Sequence, residues 1–157
     1  MNKIPYKQYC WSLGTTSFRT KNFNKTIEQQ LMLLYDFWNL PENKNEYWEG
    51  NNKLQSDYYD FMHKNDFITG EAANKPKDAR EKTSGLVDIG LIDEQRRVTE
   101  AGLALLSISK IGNFETDNFL QIDKDSFLYL KQLLKTSNNI NGEIVRPFII
   151  LLYLLSK

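Results

Sequence analysis

Gly85-Leu86-Val87-Asp88-Ile89-Gly90-Leu91-Ile92-Asp93-Glu94-Gln95-Arg96-Arg97-Val98-Thr99-Glu100-Ala101-Gly102 is the stretch whose reading decides the fold. Gly85 reads as a helix stop, and Leu86 to Ile92 as an apolar run of strand length. Asp93-Glu94-Gln95 has turn composition, and Arg96-Arg97-Val98 reads as a short return strand. Thr99 can then cap a helix carrying Ala101, Leu103, Leu105 and Leu106. Gly102 inside that helix costs about 1 kcal/mol relative to alanine unless another backbone packs close to it.

Upstream of this stretch the spacing predicts three helices. Asn24 can cap the first, which runs to about Asn39 with Ile27, Leu31, Leu34, Tyr35 and Trp38 on one face. Leu40-Pro41 ends it, because proline disfavours helical geometry in the residue before it. The polar stretch Glu42 to Asn52 follows, with Tyr47 and Trp48 as candidate buried anchors. Leu54, Tyr58, Phe61 and Met62 mark the second helix, broken at Thr69-Gly70. The third starts near Lys75-Pro76, where proline suits the first helical turn, and runs to about Thr83. Three helices followed by a strand-turn-strand give the element order of a winged helix-turn-helix. The expected class is mainly α with a small β wing and further C-terminal helices.

Downstream, Ile111 to Lys124 reads as a loop. Asp125 can cap a helix from Ser126 to Lys135 carrying Phe127, Leu130, Leu133 and Leu134. Asn138 to Gly142 reads as a turn, and Glu143 to Ser156 as a final helix that is apolar nearly all round. Such a helix needs burial on several sides. The expected organisation is a basic aromatic arm over 1–23, a winged-helix subdomain over 24–110, and a helical annex over 111–157. The annex reads as the start of a second subdomain, so the natural protein is expected to continue past Lys157.

The chain of 157 residues is 41% hydrophobic and 13% aromatic, a globular rather than a disordered profile. Its formal net charge is zero, whereas nucleic-acid binders are usually basic. The charge is unevenly spread, however. Lys3, Lys7, Arg19, Lys21 and Lys25 precede the first acid, Glu28, and Glu42, Glu46 and Glu49 cluster later. One cysteine, Cys10, excludes an intramolecular disulfide. One histidine, His63, excludes His-pair zinc chemistry and reads as a surface residue at a helix end. The N-terminus has no signal-like pattern, and the apolar run Pro147 to Leu155 is too short to span a bilayer, so a reduced cytoplasm and no membrane are expected. Asp88 and Asp93-Glu94 flank the predicted strand, but no acid-x-Lys triplet follows them to complete a magnesium site, and no cleavage by this chain is expected.

The basic residues define the candidate interface. Lys75, Lys77, Arg80 and Lys82 lie on the helix that a winged fold places in the DNA major groove, where they can meet guanine edges or phosphates. The plainer alternative is a solvated helix face with Asp78 and Glu81 as ordinary pairs. Arg19, Thr20 and Lys21 sit in the arm, which can follow a groove or the backbone, or pair with the acids of Glu42 to Glu49. Arg96 and Arg97 sit at the wing, and neighbours on a strand point to opposite faces, so at most one faces DNA.

Several stretches carry a resemblance across nearly the whole chain. They are Tyr9-Cys10-Trp11-Ser12 with Thr16-Ser17-Phe18-Arg19-Thr20, Tyr47-Trp48 with Gly50, Gly85 to Asp88, Val98 to Gly102 with Leu105, and Arg146-Pro147-Phe148. Together they resemble the N-terminal part of the AlwI family of type II restriction endonucleases. The resemblance implies a sequence-specific module for double-stranded DNA. It also implies a parent protein with a separate magnesium-dependent PD-(D/E)xK nuclease domain, no cofactor in this chain, and further polypeptide packing on the C-terminal helix. A winged-helix docking module or transcription regulator is the competing expectation.

Overall fold

The structure is a computed structural model that describes residues 23–111, 124–140 and 142–157. Among these residues the chain is mainly α. The helices are α1 (Phe23–Asn39), α2 (Asn52–Lys64), α3 (Lys75–Asp88), α4 (Glu100–Ile111), α5 (Lys124–Lys135) and α6 (Pro147–Leu155). Two three-residue strands, β1 (Asn138–Ile140) and β2 (Glu143–Val145), pair antiparallel with Asn139 opposite Ile144.

One core joins the first four helices. Ile27, Leu31, Leu34, Phe37 and Trp38 of α1 meet Leu54, Tyr58 and Met62 of α2, Ala79 and Leu86 of α3, and Leu105 and Leu106 of α4. Phe37 is the aromatic hub, edge-on to Tyr58 at 5.1 Å between centroids, and Tyr58 in turn meets Trp48 at 5.8 Å. Tyr35, expected on the buried face of α1, is exposed, and Phe37 is buried instead. At 100° per residue, the buried residues from Phe37 through Leu34 and Ile27 to Leu31 span about 120° of arc, and Tyr35 falls about 40° past the Leu31 edge. The Tyr58 hydroxyl is buried with no hydrogen-bond partner among the described residues, and burial pushes its pKa up.

Buried glutamines fasten the elements to one another. Gln30 Nε2 donates to the Lys82 carbonyl at 2.9 Å, tying α1 to α3. Gln55 Nε2 donates to the Trp48 carbonyl at 2.7 Å, and Gln132 Nε2 to that of Ile89 at 3.1 Å. Each amide, itself buried, gains a backbone carbonyl of another element as partner for its Nε2 donor.

The deciding stretch folds differently from its sequence reading. Gly85 does not stop α3. It is buried within the helix, and Leu86 to Asp88 continue it rather than opening a strand. The stop is Gly90, at φ +71°. Its N–H donates to the Val87 carbonyl at 2.8 Å, and that of Leu91 donates to Leu86 at 2.9 Å, the paired bonds of a Schellman cap. What remains of the two strands is a single antiparallel bridge between Ile92 and Val98 around the Asp93–Arg97 turn. That turn is closed by Asp93 N–H to the Arg97 carbonyl, 2.9 Å, and Arg96 N–H to the Asp93 carbonyl, 2.9 Å.

Thr99 caps α4 as expected. Its hydroxyl accepts from Gly102 N–H at 3.3 Å and donates toward the Gly90 and Leu91 carbonyls. A side chain at Gly102 would place its Cβ 2.3 Å from the Leu91 carbonyl oxygen and 2.7 Å from Val98 Cγ1. This is the close backbone approach that makes a mid-helix glycine worth its entropic cost.

The C-terminal reading also changes. Glu143 to Val145 is strand β2, not the first turn of the last helix, and it pairs with β1 where only a turn was expected. Gly142, at φ +90°, donates its N–H to Asn139 Oδ1 at 2.8 Å. Pro147 forces an extended Arg146 and sits in the first turn of α6, so the helix cannot begin earlier. α5 begins at Lys124, slightly before the expected Ser126. No helix among the described residues is long and apolar enough to cross a membrane.

Candidate nucleic-acid interface

α3 packs along α2 through Ala79, Thr83 and Leu86, all fully buried. Their i, i+4, i+7 spacing fixes which side of α3 turns outward, and that side carries Lys77, Arg80 and Glu81, all exposed. Asn74 starts the helix, its side chain accepting from Lys77 N–H at 3.1 Å, with Pro76 in the first turn. Tyr59 of α2 shapes the connection over residues 65–74. Its hydroxyl donates to the Gly70 carbonyl at 2.5 Å and accepts from Ala72 N–H at 2.8 Å.

The three lysines expected on this helix all meet acids. Lys75 Nζ lies 2.6 Å from Asp60 Oδ1, and that bond raises the lysine's pKa. Lys77 reaches Glu81 and Lys82 reaches Asp78, each at 3.7 Å across one helical turn. Solvent-accessible pairs of this kind, the Lys77–Glu81 pair being the most open and the Lys82–Asp78 pair the least, contribute little and exchange readily for a phosphate. Arg80 differs. Its Nη1 donates to Gln55 Oε1 and lies 3.5 Å from Asn52 Oδ1, so neutral amides answer the guanidinium.

Both arginines of the Asp93–Arg97 turn fold back onto the protein. Arg97 Nη2 donates to the Lys44 and Glu46 carbonyls, 3.0 Å each, and its guanidinium lies 4.1 Å from the Trp38 ring centroid. Arg96 occupies the left-handed region, φ +62°, a conformation uncommon for a non-glycine residue. Trp38 Nε1 fixes it by donating to the Arg96 carbonyl at 2.8 Å. Arg96 Nε donates to Thr83 Oγ1 at 3.0 Å and Nη1 to the Glu94 carbonyl at 3.1 Å. Burial lowers the pKa of this guanidinium, with the Glu94 carboxylate opposing the shift.

Arg19, Thr20, Lys21 and Cys10 lie outside the described residues. Trp48 is buried as expected, but Tyr47 is 74% exposed and anchors nothing. His63 is exposed in the last turn of α2. The sequence reading missed Gln95, whose Oε1 accepts from Trp48 N–H at 2.8 Å and ties the hairpin to the loop before α2. It also passed over Glu42-Asn43-Lys44, which has acid-x-Lys spacing. That triplet lies in the turn after α1, where buried Asn43 donates to the Phe37 carbonyl at 2.9 Å. Among the described residues no three acidic, histidine or cysteine side chains gather as a metal site.

No protein-family model, no curated protein and no solved structure matches the chain.

Proposed function

We propose that this chain is a sequence-specific recognition module for double-stranded DNA, with α3 presented to the major groove and the Asp93–Arg97 turn serving as a reduced wing. The observation that carries this reading is the outward side of α3. Lys77 and Arg80 stand exposed on a helix held rigidly by its opposite face. The three lysine–acid pairs open at little cost when a phosphate arrives. In this reading Lys77 and Arg80 meet bases or backbone from the outward side, Lys75 and Lys82, half-exposed on the flank nearer the buried stripe, reach phosphates, and Arg19, Thr20 and Lys21 follow the adjacent groove. Arg96 and Arg97 chiefly hold the wing. The resemblance to AlwI-type restriction endonucleases supports assigning the module to such an enzyme. There, a magnesium-dependent nuclease elsewhere in the parent would cut, and this chain would bind without cutting.

Two features of the fold bear on the winged-helix assignment. The connection between α2 and α3, residues 65–74, is longer than the tight turn of a helix-turn-helix. The wing keeps one bridge where two strands were expected. Neither alters which side of α3 faces outward.

A second reading, a protein-docking module, is favoured by one observation: Leu154 and Leu155 of α6 are 62% and 75% exposed. Fluorescence anisotropy with pools of short duplexes separates the two. DNA recognition predicts saturable binding that prefers some pools and weakens steeply between low and moderate salt. Absence of binding at low salt contradicts it.

A further inference from the structure

A cleft of about 550 Å³ opens between the start of α2, the middle of α3 and the Asp93–Arg97 turn. Trp48, Glu49, Gly50, Asn52, Gln55, Arg80, Glu94 and Arg96 line it. We propose that this cleft is a phosphate-binding site in which the Arg80 and Arg96 guanidiniums hold one phosphate, that of the DNA backbone in the intact module. The source of the phosphate rests on the DNA-recognition reading above, and the site itself does not.

The charge is under-compensated where it is least solvated. The Arg96 side chain is only 12% exposed, and among the described residues the one carboxylate at ion-pair distance, on Glu94, is 3.8 Å away and 89% exposed, with Asp88 and Asp93 acting from farther off. Its hydrogen bonds go to a hydroxyl and a carbonyl, both neutral. Arg80 shares the cleft, and among the described residues no carboxylate lies within ion-pair distance of it. A half-buried guanidinium beside a second one is costly unless an anion joins them. Unused donors are present to receive it. Nη2 of each arginine has no hydrogen-bond partner among the described residues, and Trp48, which lines the cleft with its ring 5.8 Å from the Arg96 guanidinium, reports on its occupancy. A phosphate presents several acceptor oxygens and suits the planar guanidinium fork. The backbone of Arg96 is held in its uncommon conformation by Trp38 and its side chain by Thr83, so the guanidinium is positioned before any ligand arrives. Glu49 and Glu94 are the acids of the cleft, both exposed, and an incoming phosphate displaces Glu94 from Arg96.

The test uses inorganic phosphate titrated into the full chain at constant ionic strength, with chloride as the control. The readout is the Trp48 indole and arginine Nε–H resonances. The proposal expects a saturable shift with phosphate and none with chloride. Arg80→Gln should weaken the response about tenfold or more, the loss expected for charge-assisted bonds. Arg96→Gly keeps the left-handed turn, removes the guanidinium and should do the same. Glu94→Gln, which removes the competing carboxylate, should tighten binding about two- to fivefold. No saturable phosphate shift in the folded chain overturns the proposal, as does unchanged phosphate affinity in folded Arg96→Gly. A second arm measures duplex DNA. A salt-dependence slope reduced by about one in Arg80→Gln assigns the phosphate to the DNA backbone. Phosphate binding without DNA binding keeps the site and removes the DNA reading. DNA binding without a phosphate response removes the site and keeps the DNA reading.

Discussion

At the Asp93–Arg97 turn, two arginines lie against two tryptophans and bond to α3, to the loop after α1 and within the turn itself. At α6, the side chains from Ile149 to Leu155 stand 40% to 75% exposed, and only Pro147 is buried. The charged end of the molecule is held in place by neutral partners from its own fold, and the apolar end lacks such cover. Polar groups find partners locally, because any nearby carbonyl or hydroxyl can answer them. An apolar helix can be satisfied only by a surface of matching extent.

The sharpest way to break this contrast is at the joint between the hairpin and α4. Gly102→Ala forces a methyl against the Leu91 carbonyl and should destabilise the protein by about 3 kcal/mol, the upper part of the overpacking range. Urea unfolding measures it, and a change within a few tenths of a kcal/mol would mean the joint is looser than described. Thr83→Val removes the acceptor of Arg96 Nε and leaves a half-buried donor unpaired, at a cost of about 1–2 kcal/mol. The same unfolding measurement checks it. The smallest effect belongs to α6. Leu154→Ser with Leu155→Ser should change stability by less than about 0.5 kcal/mol, because both side chains are already exposed. A loss of several kcal/mol would show that α6 is buried in solution, for instance against a second copy.

The two regions also differ in how far sequence alone discloses them. The start of α3 at Lys75-Pro76 and the Thr99 cap are local signals, and both are where the pattern puts them. The close approach that justifies Gly102 is likewise written as a glycine inside an apolar helix. Leu86 to Ile92 misleads because a short run rich in Leu, Val and Ile fits a strand or a helix end equally well. Gly90 rather than Gly85 decides the matter, through cap bonds that spacing does not display. Glu143 to Val145 misleads for a related reason, since apolar content masks the stop imposed by Pro147. At the candidate interface the cations of α3 were legible as types. The inward turn of Arg96 and Arg97 was not, because it depends on Trp38, Thr83 and the Lys44 and Glu46 carbonyls, all distant in sequence.

The central claim is that the outward side of α3, rather than the bare α6, meets the macromolecular partner, and that this partner is DNA. It is tested most directly by the salt dependence of duplex binding in Lys77→Ala beside the Leu154→Ser, Leu155→Ser double variant. The account predicts that Lys77→Ala lowers the slope of log affinity against log salt by about one while the α6 variant binds as the parent chain does. Unchanged binding in Lys77→Ala, with loss of binding in the α6 variant, would contradict it.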